Sequence, residues 1–144
     1  MKKTILFLCT GNSCRSQIAE GWLRHFGDDR YEALSAGIEA HGKNPRAIRI
    51  MEEAGIDISG QESTIVTDDM LNRTDLIISV CGHADEHCPA IPVSCKKRHL
   101  PFDDPAKAQG SEEEIMAEFR RVRDQIKSAV QVLVEELDTQ ANSV

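Results

Sequence analysis

Apolar positions along this chain fall into two patterns. Thr4-Ile5-Leu6-Phe7-Leu8 and Leu76-Ile77-Ile78-Ser79-Val80 are short, almost unbroken runs rich in branched residues, as buried strands are. In Gln17–Phe26 the apolar residues Ile18, Ala19, Trp22, Leu23 and Phe26 recur at helical spacing instead. Glu32-Ala33-Leu34-Ser35-Ala36 reads as another strand, and Arg98-His99-Leu100 as a short fourth one. Asn44-Pro45 opens a helix with a capping residue and a Pro in the first turn; it carries Ala47, Ile48, Ile50, Met51 and Ala54, and Gly55 ends it. Thr67–Leu71 reads as a short capped helix.

The last segment opens on a capping box, Ser111 with Glu114. Ile115, Phe119, Val122, Ile126, Ala129 or Val130, Leu133 and Leu137 then mark one face of a long helix. The spacing is open to a coiled coil, but a terminal helix packed on a sheet is the better fit. Strands alternating with helices predict one α/β domain over 1–144, with a central four-stranded parallel sheet flanked by helices. At 144 residues the chain is long enough for a real core.

Between the first strand and the first helix lies Cys9-Thr10-Gly11-Asn12-Ser13-Cys14-Arg15-Ser16. A strand, a tight loop and a helix in succession point backbone N–H groups and the positive end of a helix dipole into one cavity. Such a cavity takes an anion. Cys9 stands at its mouth, where those groups and Arg15 favour thiolate. The planar fork of Arg15 matches two oxygens of a tetrahedral oxyanion. Ser16 is placed to donate to the sulfur, and Gly11 or Asn12 to adopt a positive φ. The competing reading is a small buried Cys at a strand end. The strand before, the helix after and the Gly, Asn and Ser within favour the anion loop.

The second apolar strand runs straight into Cys81-Gly82-His83-Ala84-Asp85-Glu86-His87-Cys88-Pro89. In a parallel sheet its end lies on the same edge as Cys9, so Cys9 and Cys81 are expected to be neighbours. Were Cys81 to Cys88 helical, the two would be separated by about 10.5 Å of rise. A disulfide requires α-carbons within roughly 7 Å. The pair can bridge only if the segment unwinds, and Gly82 and Pro89 make it a poor permanent helix. Two plainer readings compete: buried apolar cysteines, or zinc on Cys81, His83, His87 and Cys88, whose spacing departs from the usual ligand pattern. In Phe102-Asp103-Asp104-Pro105, a carboxylic acid near an anion pocket can protonate a leaving oxygen, although Asp-Pro also begins many turns.

The loop Cys9-x5-Arg15-Ser16, close to the start of a chain this short, resembles the low-molecular-weight tyrosine phosphatases, and more closely the thioredoxin-coupled arsenate reductases built on that fold. The resemblance runs over nearly the whole chain. It implies that Thr10 to Ser16 bind the oxyanion and that Cys9, Cys81 and Cys88 are three redox cysteines. It makes Asp104, directly before Pro105, the general acid. It implies reduction of arsenate to arsenite: Cys9 attacks arsenic, Cys81 resolves to a Cys9–Cys81 disulfide, and Cys88 passes this on as Cys81–Cys88 for reduction by thioredoxin. The alternative is a tyrosine phosphatase. Ala106 after Asp104-Pro105, where phosphatases tend to carry Tyr, and a chain with one Tyr and one Trp count against it. No organic cofactor or metal is required. By resemblance Asn12, Glu20 and Ser35 are donors for a weak potassium site, and no acidic fourth ligand stands near Ser63-Thr64-Ile65.

Composition adds limits. A net charge of −7 argues against a nucleic-acid partner without excluding a locally positive pocket. No apolar run approaches a membrane span, and the run after Met1-Lys2-Lys3 is too short for a signal peptide. A cytoplasmic monomer is the expectation. Five cysteines, an odd number, do not suggest a permanent disulfide framework there. Cys14 and Cys95 carry no necessary role.

Overall fold

The computed structural model describes residues 2–142. Its sheet is built from β1 (Lys3–Cys9), β2 (Tyr31–Gly37), β3 (Leu76–Ser79) and β4 (Lys96–His99), all parallel, in the order β2-β1-β3-β4. The helices are α1 (Arg15–Gly27), α2 (Pro45–Glu53), α3 (Asp68–Asn72), α4 (Gly82–Glu86) and α5 (Glu112–Asn142), with a 3-10 turn at Pro105–Lys107. β1 is central because its run is apolar on both faces: Ile5, Leu6, Phe7 and Leu8 are all buried. β4 is an edge strand made of Lys96, Lys97, Arg98 and His99, so its charges face water. That composition is why the sequence shows only the end of it.

Capping is as the sequence predicts. Asn44 Oδ1 accepts from the N–H groups of Arg46 and Ala47, and Thr67 Oγ1 from that of Met70. Ser111 and Glu114 form the reciprocal box at the start of α5, at 3.1 and 3.3 Å. The last helix, expected on the sheet, reaches it where Glu136 pairs with Arg98 of β4 at 2.9 Å, and it also meets the neighbouring helices. α5 lies chiefly against α1 and α2, burying Phe119, Val122, Ile126 and Val130. Arg120 pairs with Glu53 of α2 at 2.8 Å, and Tyr31 of β2 donates to Asp138 at 2.7 Å. α2 shows Ala47, Ile50 and Met51 to the core, while Ala54 is exposed beyond its end.

Parallel pairing brings the carboxyl ends of the strands to one edge. Leu8 of β1 faces Ser79 of β3, and Cys9 faces Gly37 of β2. The chemistry-bearing loops leave the sheet there, where open α/β sheets bind ligands. No helix of the described residues is long and apolar enough to cross a membrane.

Candidate active site

The loop from Thr10 to Cys14 folds back at the end of β1. Asn12 takes the positive φ, at 49°, while Gly11 does not need it. Gly11 is required for space instead: a Cβ there would come within 2.2 Å of the His41 ring. Gly37 is as tight, since a Cβ would meet Glu39 O at 2.2 Å and Asn12 N at 2.9 Å. α1 starts at Arg15 without a side-chain cap, so its first N–H groups stay with the loop. Thr10, Gly11, Ser13 and Cys14 of the loop line a cavity of about 470 Å³ together with Cys9, Arg15, Cys81, His83, Asp104 and Lys107.

A buried polar frame holds the loop from behind. Asn12 Nδ2 donates to Ser16 Oγ at 2.8 Å, and Asn12 Oδ1 accepts from Thr64 N at 2.8 Å. Gln17 Nε2 donates to the carbonyls of Asn12 and Glu62 at 3.0 and 2.8 Å, and Gln61 in turn donates to Gln17. Ser16 is fully buried within this frame and has no hydrogen bond to Cys9 among the described residues. Its expected bond to the sulfur is therefore replaced by a bracing role.

The two thiols at the sheet edge meet. Cys9 and Cys81 are both buried and line the same cavity. Cys81 Sγ lies 3.2 Å from Thr10 Oγ1 and 3.4 Å from Ala84 N. The Cys81 thiol beside it and burial push Cys9 up, although Arg15 pulls it the other way. The neighbouring Cys9 brings Cys81 well below the ordinary thiol range, helped by Thr10, Ala84 and Arg15. The pair thus loses one proton readily and a second one reluctantly. Cys14, also buried beside the loop, is pushed up to about 11 by burial and stays a thiol. Cys88 is half-buried just beyond α4, and burial raises it. Cys95 is buried next to β4, away from the cavity.

Arg15 Nη1 donates to Phe102 O at 3.1 Å, and Nη2 lies 3.6 Å from Asp104 Oδ2. Its Nε is buried without a hydrogen-bond partner, a donor the loop leaves for an oxyanion. Asp104 lines the cavity and caps the 3-10 turn through Ala106 N at 3.0 Å. Asp103 points the other way, to Arg121 on α5. The structure thus separates two adjacent aspartates that the sequence alone leaves side by side.

Three further side chains reach the cavity without any motif to announce them. His41 covers Gly11 and pairs with Glu39 at 2.6 Å. His83 Nδ1 lies 3.1 Å from Thr10 Oγ1, and Lys107 comes from the 3-10 turn. All three stand in polar segments with no periodicity. The zinc alternative at Cys81, His83, His87 and Cys88 has no support, since those described residues form no metal-holding cluster.

Asn12, Glu20 and Ser35 do not fit a potassium ion. Ser35 Oγ donates to Glu20 at 2.6 Å, and Arg24 forms an ion pair with the same carboxylate. Asn12 Oδ1 is turned to Thr64. Burial raises the Glu20 carboxyl, with Ser35 and Arg24 opposing it. The positive charge a cation would bring is supplied by a side chain.

The model of the low molecular weight phosphotyrosine protein phosphatases matches residues 4–143. The chain belongs to this family. Among its relatives are an arsenate reductase of Bacillus licheniformis, 55% identical over 93% of this chain and 96% of that protein, and one of Bacillus subtilis, 53% identical over 92% and 96%. Of solved structures, an arsenate reductase in the phosphate-binding state superposes with a TM-score of 0.75 at 33% identity, over 93% of this chain and 98% of the other. The tyrosine phosphatase Wzb of Escherichia coli K30 with sulphate superposes at 0.79 and 26% identity, over 95% and 99%. The shared architecture is therefore that of both activities, and the sequence stands with the arsenate reductases.

Proposed function

We infer that this chain is an arsenate reductase that works through a relay of three thiols. The observation that carries the reading is that Cys9 and Cys81, from the ends of adjacent strands, line one oxyanion cavity with Arg15. A hydrolytic enzyme has no use for a second thiol against its nucleophile. A two-electron reduction requires one.

Arsenate is a tetrahedral dianion. The loop N–H groups and Arg15, with its unpartnered Nε, bind it and stabilise charge as it builds. Transfer of the Cys9 proton to the neighbouring Cys81 leaves Cys9 as thiolate, which the Arg15 charge favours. Its sulfur attacks arsenic, and Asp104 protonates the oxygen that departs as water. Cys81, deprotonated again with help from Thr10 and Ala84 N, attacks the Cys9 sulfur. The As–S electron pair returns to arsenic, which leaves as arsenite, and a Cys9–Cys81 disulfide forms. Cys88 then attacks Cys81, frees Cys9 and leaves Cys81–Cys88 for an external dithiol. A thioredoxin suits that role, because Cys88 stands half-buried just beyond the short α4 and carries the last disulfide away from Cys9. All groups come from one chain, as a monomer requires, and the use of a dithiol reductant suits the cytoplasm.

The test is a coupled assay with thioredoxin, thioredoxin reductase and NADPH, with and without arsenate. Steady arsenate-dependent loss of NADPH in wild type, reduced to at most one slow equivalent in Cys88→Ser, is the expected result. No such loss, with p-nitrophenyl phosphate hydrolysis indifferent to Cys88→Ser, overturns the reading in favour of a phosphatase.

A further inference from the structure

The relay asks α4 to let go of the sheet, because Cys81 precedes its first residue and Cys88 follows its end by two. Within α4 the backbone holds little: Asp85 N bonds Cys81 O at 3.1 Å, and His87 N bonds His83 O at 3.0 Å. His83 Nδ1 meets Thr10 Oγ1 of the loop after β1 at 3.1 Å, and Ala84 is fully buried; the tie to β3 and β4 is made by one other side chain. Asp85 Oδ1 accepts from Ser79 Oγ of β3 at 3.0 Å and from Lys97 Nζ of β4 at 2.9 Å. Lys97 Nζ also reaches the Asp85 main-chain oxygen at 3.1 Å, so it grips the end of the helix twice. His99 Nδ1 completes the cluster, 2.7 Å from Ser79 Oγ and 3.9 Å from Asp85 Oδ1. Ser79 is fully buried, and Asp85 is the one α4 side chain hydrogen-bonded to β3 or β4 among the described residues.

We propose that Asp85 is the latch of the redox segment: a positioning residue whose bonds to Ser79 and Lys97 hold Cys81 and Cys88 apart in the reduced protein and must break before the two can bridge. The inference rests on the three-thiol relay above. Its chemistry is balanced by that relay. When the dithiol becomes a disulfide, two electrons leave with the oxidant and the carboxylate loses its partners to water. On reduction by the external dithiol, α4 re-forms and the carboxylate returns. The latch therefore stabilises the dithiol over the disulfide and makes Cys81–Cys88 easier to reduce. Lys97, then Ser79, keeps the Asp85 carboxyl below its ordinary range, so it is ionised and a strong acceptor at neutral pH.

The experiment is a redox titration of the full chain in mixtures of reduced and oxidised dithiothreitol, with the Cys81–Cys88 disulfide counted by alkylation and peptide mass. Asp85→Ala is expected to shift the equilibrium about tenfold toward the disulfide, as loss of a charge-assisted bond implies. Ser79→Ala should shift it in the same direction, and the double variant by less than the sum. Thermal unfolding supplies the control: a latch lowers the midpoint of the reduced form and leaves that of the oxidised form, whereas a merely structural residue lowers both. An unchanged equilibrium in Asp85→Ala, with the disulfide present in wild type, overturns the latch alone. Absence of the disulfide from wild type overturns the relay, and the latch with it.

Discussion

Cys9 and Cys81, seventy-two positions apart in sequence, line one cavity at the carboxyl edge of adjacent parallel strands. The pair should hold one negative charge at neutral pH. Ultraviolet thiolate absorbance of the reduced protein is expected to show about one equivalent at pH 7 and to fall only in acid, since Cys81 is lowered well below the ordinary thiol range. The sign follows from the depressed acid: thiolate persists above its pKa and is lost below it. Cys81→Ser should remove the signal at neutral pH, and Thr10→Val should move its midpoint upward.

Asp104 and Asp103 offer a paired test. Asp104→Asn keeps the shape and removes the proton, and should lower kcat about 10²- to 10⁴-fold. Asp103→Asn touches only the exposed contact with Arg121 and should leave kcat within about twofold. Equal effects in the two variants would reject Asp104 as the acid.

Gly11→Ala places a methyl against the His41 ring and should raise KM for arsenate by shifting the loop. The second variant gives the reason: adding His41→Ala opens the space, so the double variant should recover most of the lost affinity. Failure to recover would mean that the glycine is needed for the backbone rather than for room.

Exchange of potassium for sodium should leave kcat/KM unchanged, because Arg24 already serves Glu20. Arg24→Ala should lower stability by about 1–2 kcal/mol at pH 7. Burial has raised the Glu20 carboxyl, so removing the guanidinium raises it further. The stability lost appears as the pH rises through that value and shrinks in acid, where the carboxyl is neutral. Parallel thermal melts of wild type and variant at pH 5 and pH 7.5 would show it.

Phe119 stands where α5 joins the core and is fully buried. Phe119→Ala should cost about 3–5 kcal/mol in a urea titration.

The apolar runs and caps make most of the fold legible in the sequence. β1 and β3 announce themselves because both faces are buried, and Asn44, Thr67 and Ser111 mark their helices by chemistry that works locally. β4 is half-hidden because an edge strand of charged residues has no apolar signal. The anion loop is legible for a similar reason to the caps: its residues act on their own neighbours in sequence. The frame behind it is not, since Gln61 and Thr64 reach Asn12 and Gln17 only through the fold. His41, His83 and Lys107 stand in polar segments, where nothing distinguishes a pocket wall from a solvated side chain. Ser16 reads as a donor to the Cys9 sulfur, and the fold instead seats its oxygen on the buried amide of Asn12.

The charges of β4 have a consequence for the working life of the protein. β4 closes the strand order β2-β1-β3-β4 and so presents an open edge, and a bare edge invites a strand from another molecule. Lys96, Lys97 and Arg98 make such pairing repulsive between copies. A strand poor in β-forming residues thus guards the protein against edge-to-edge aggregation.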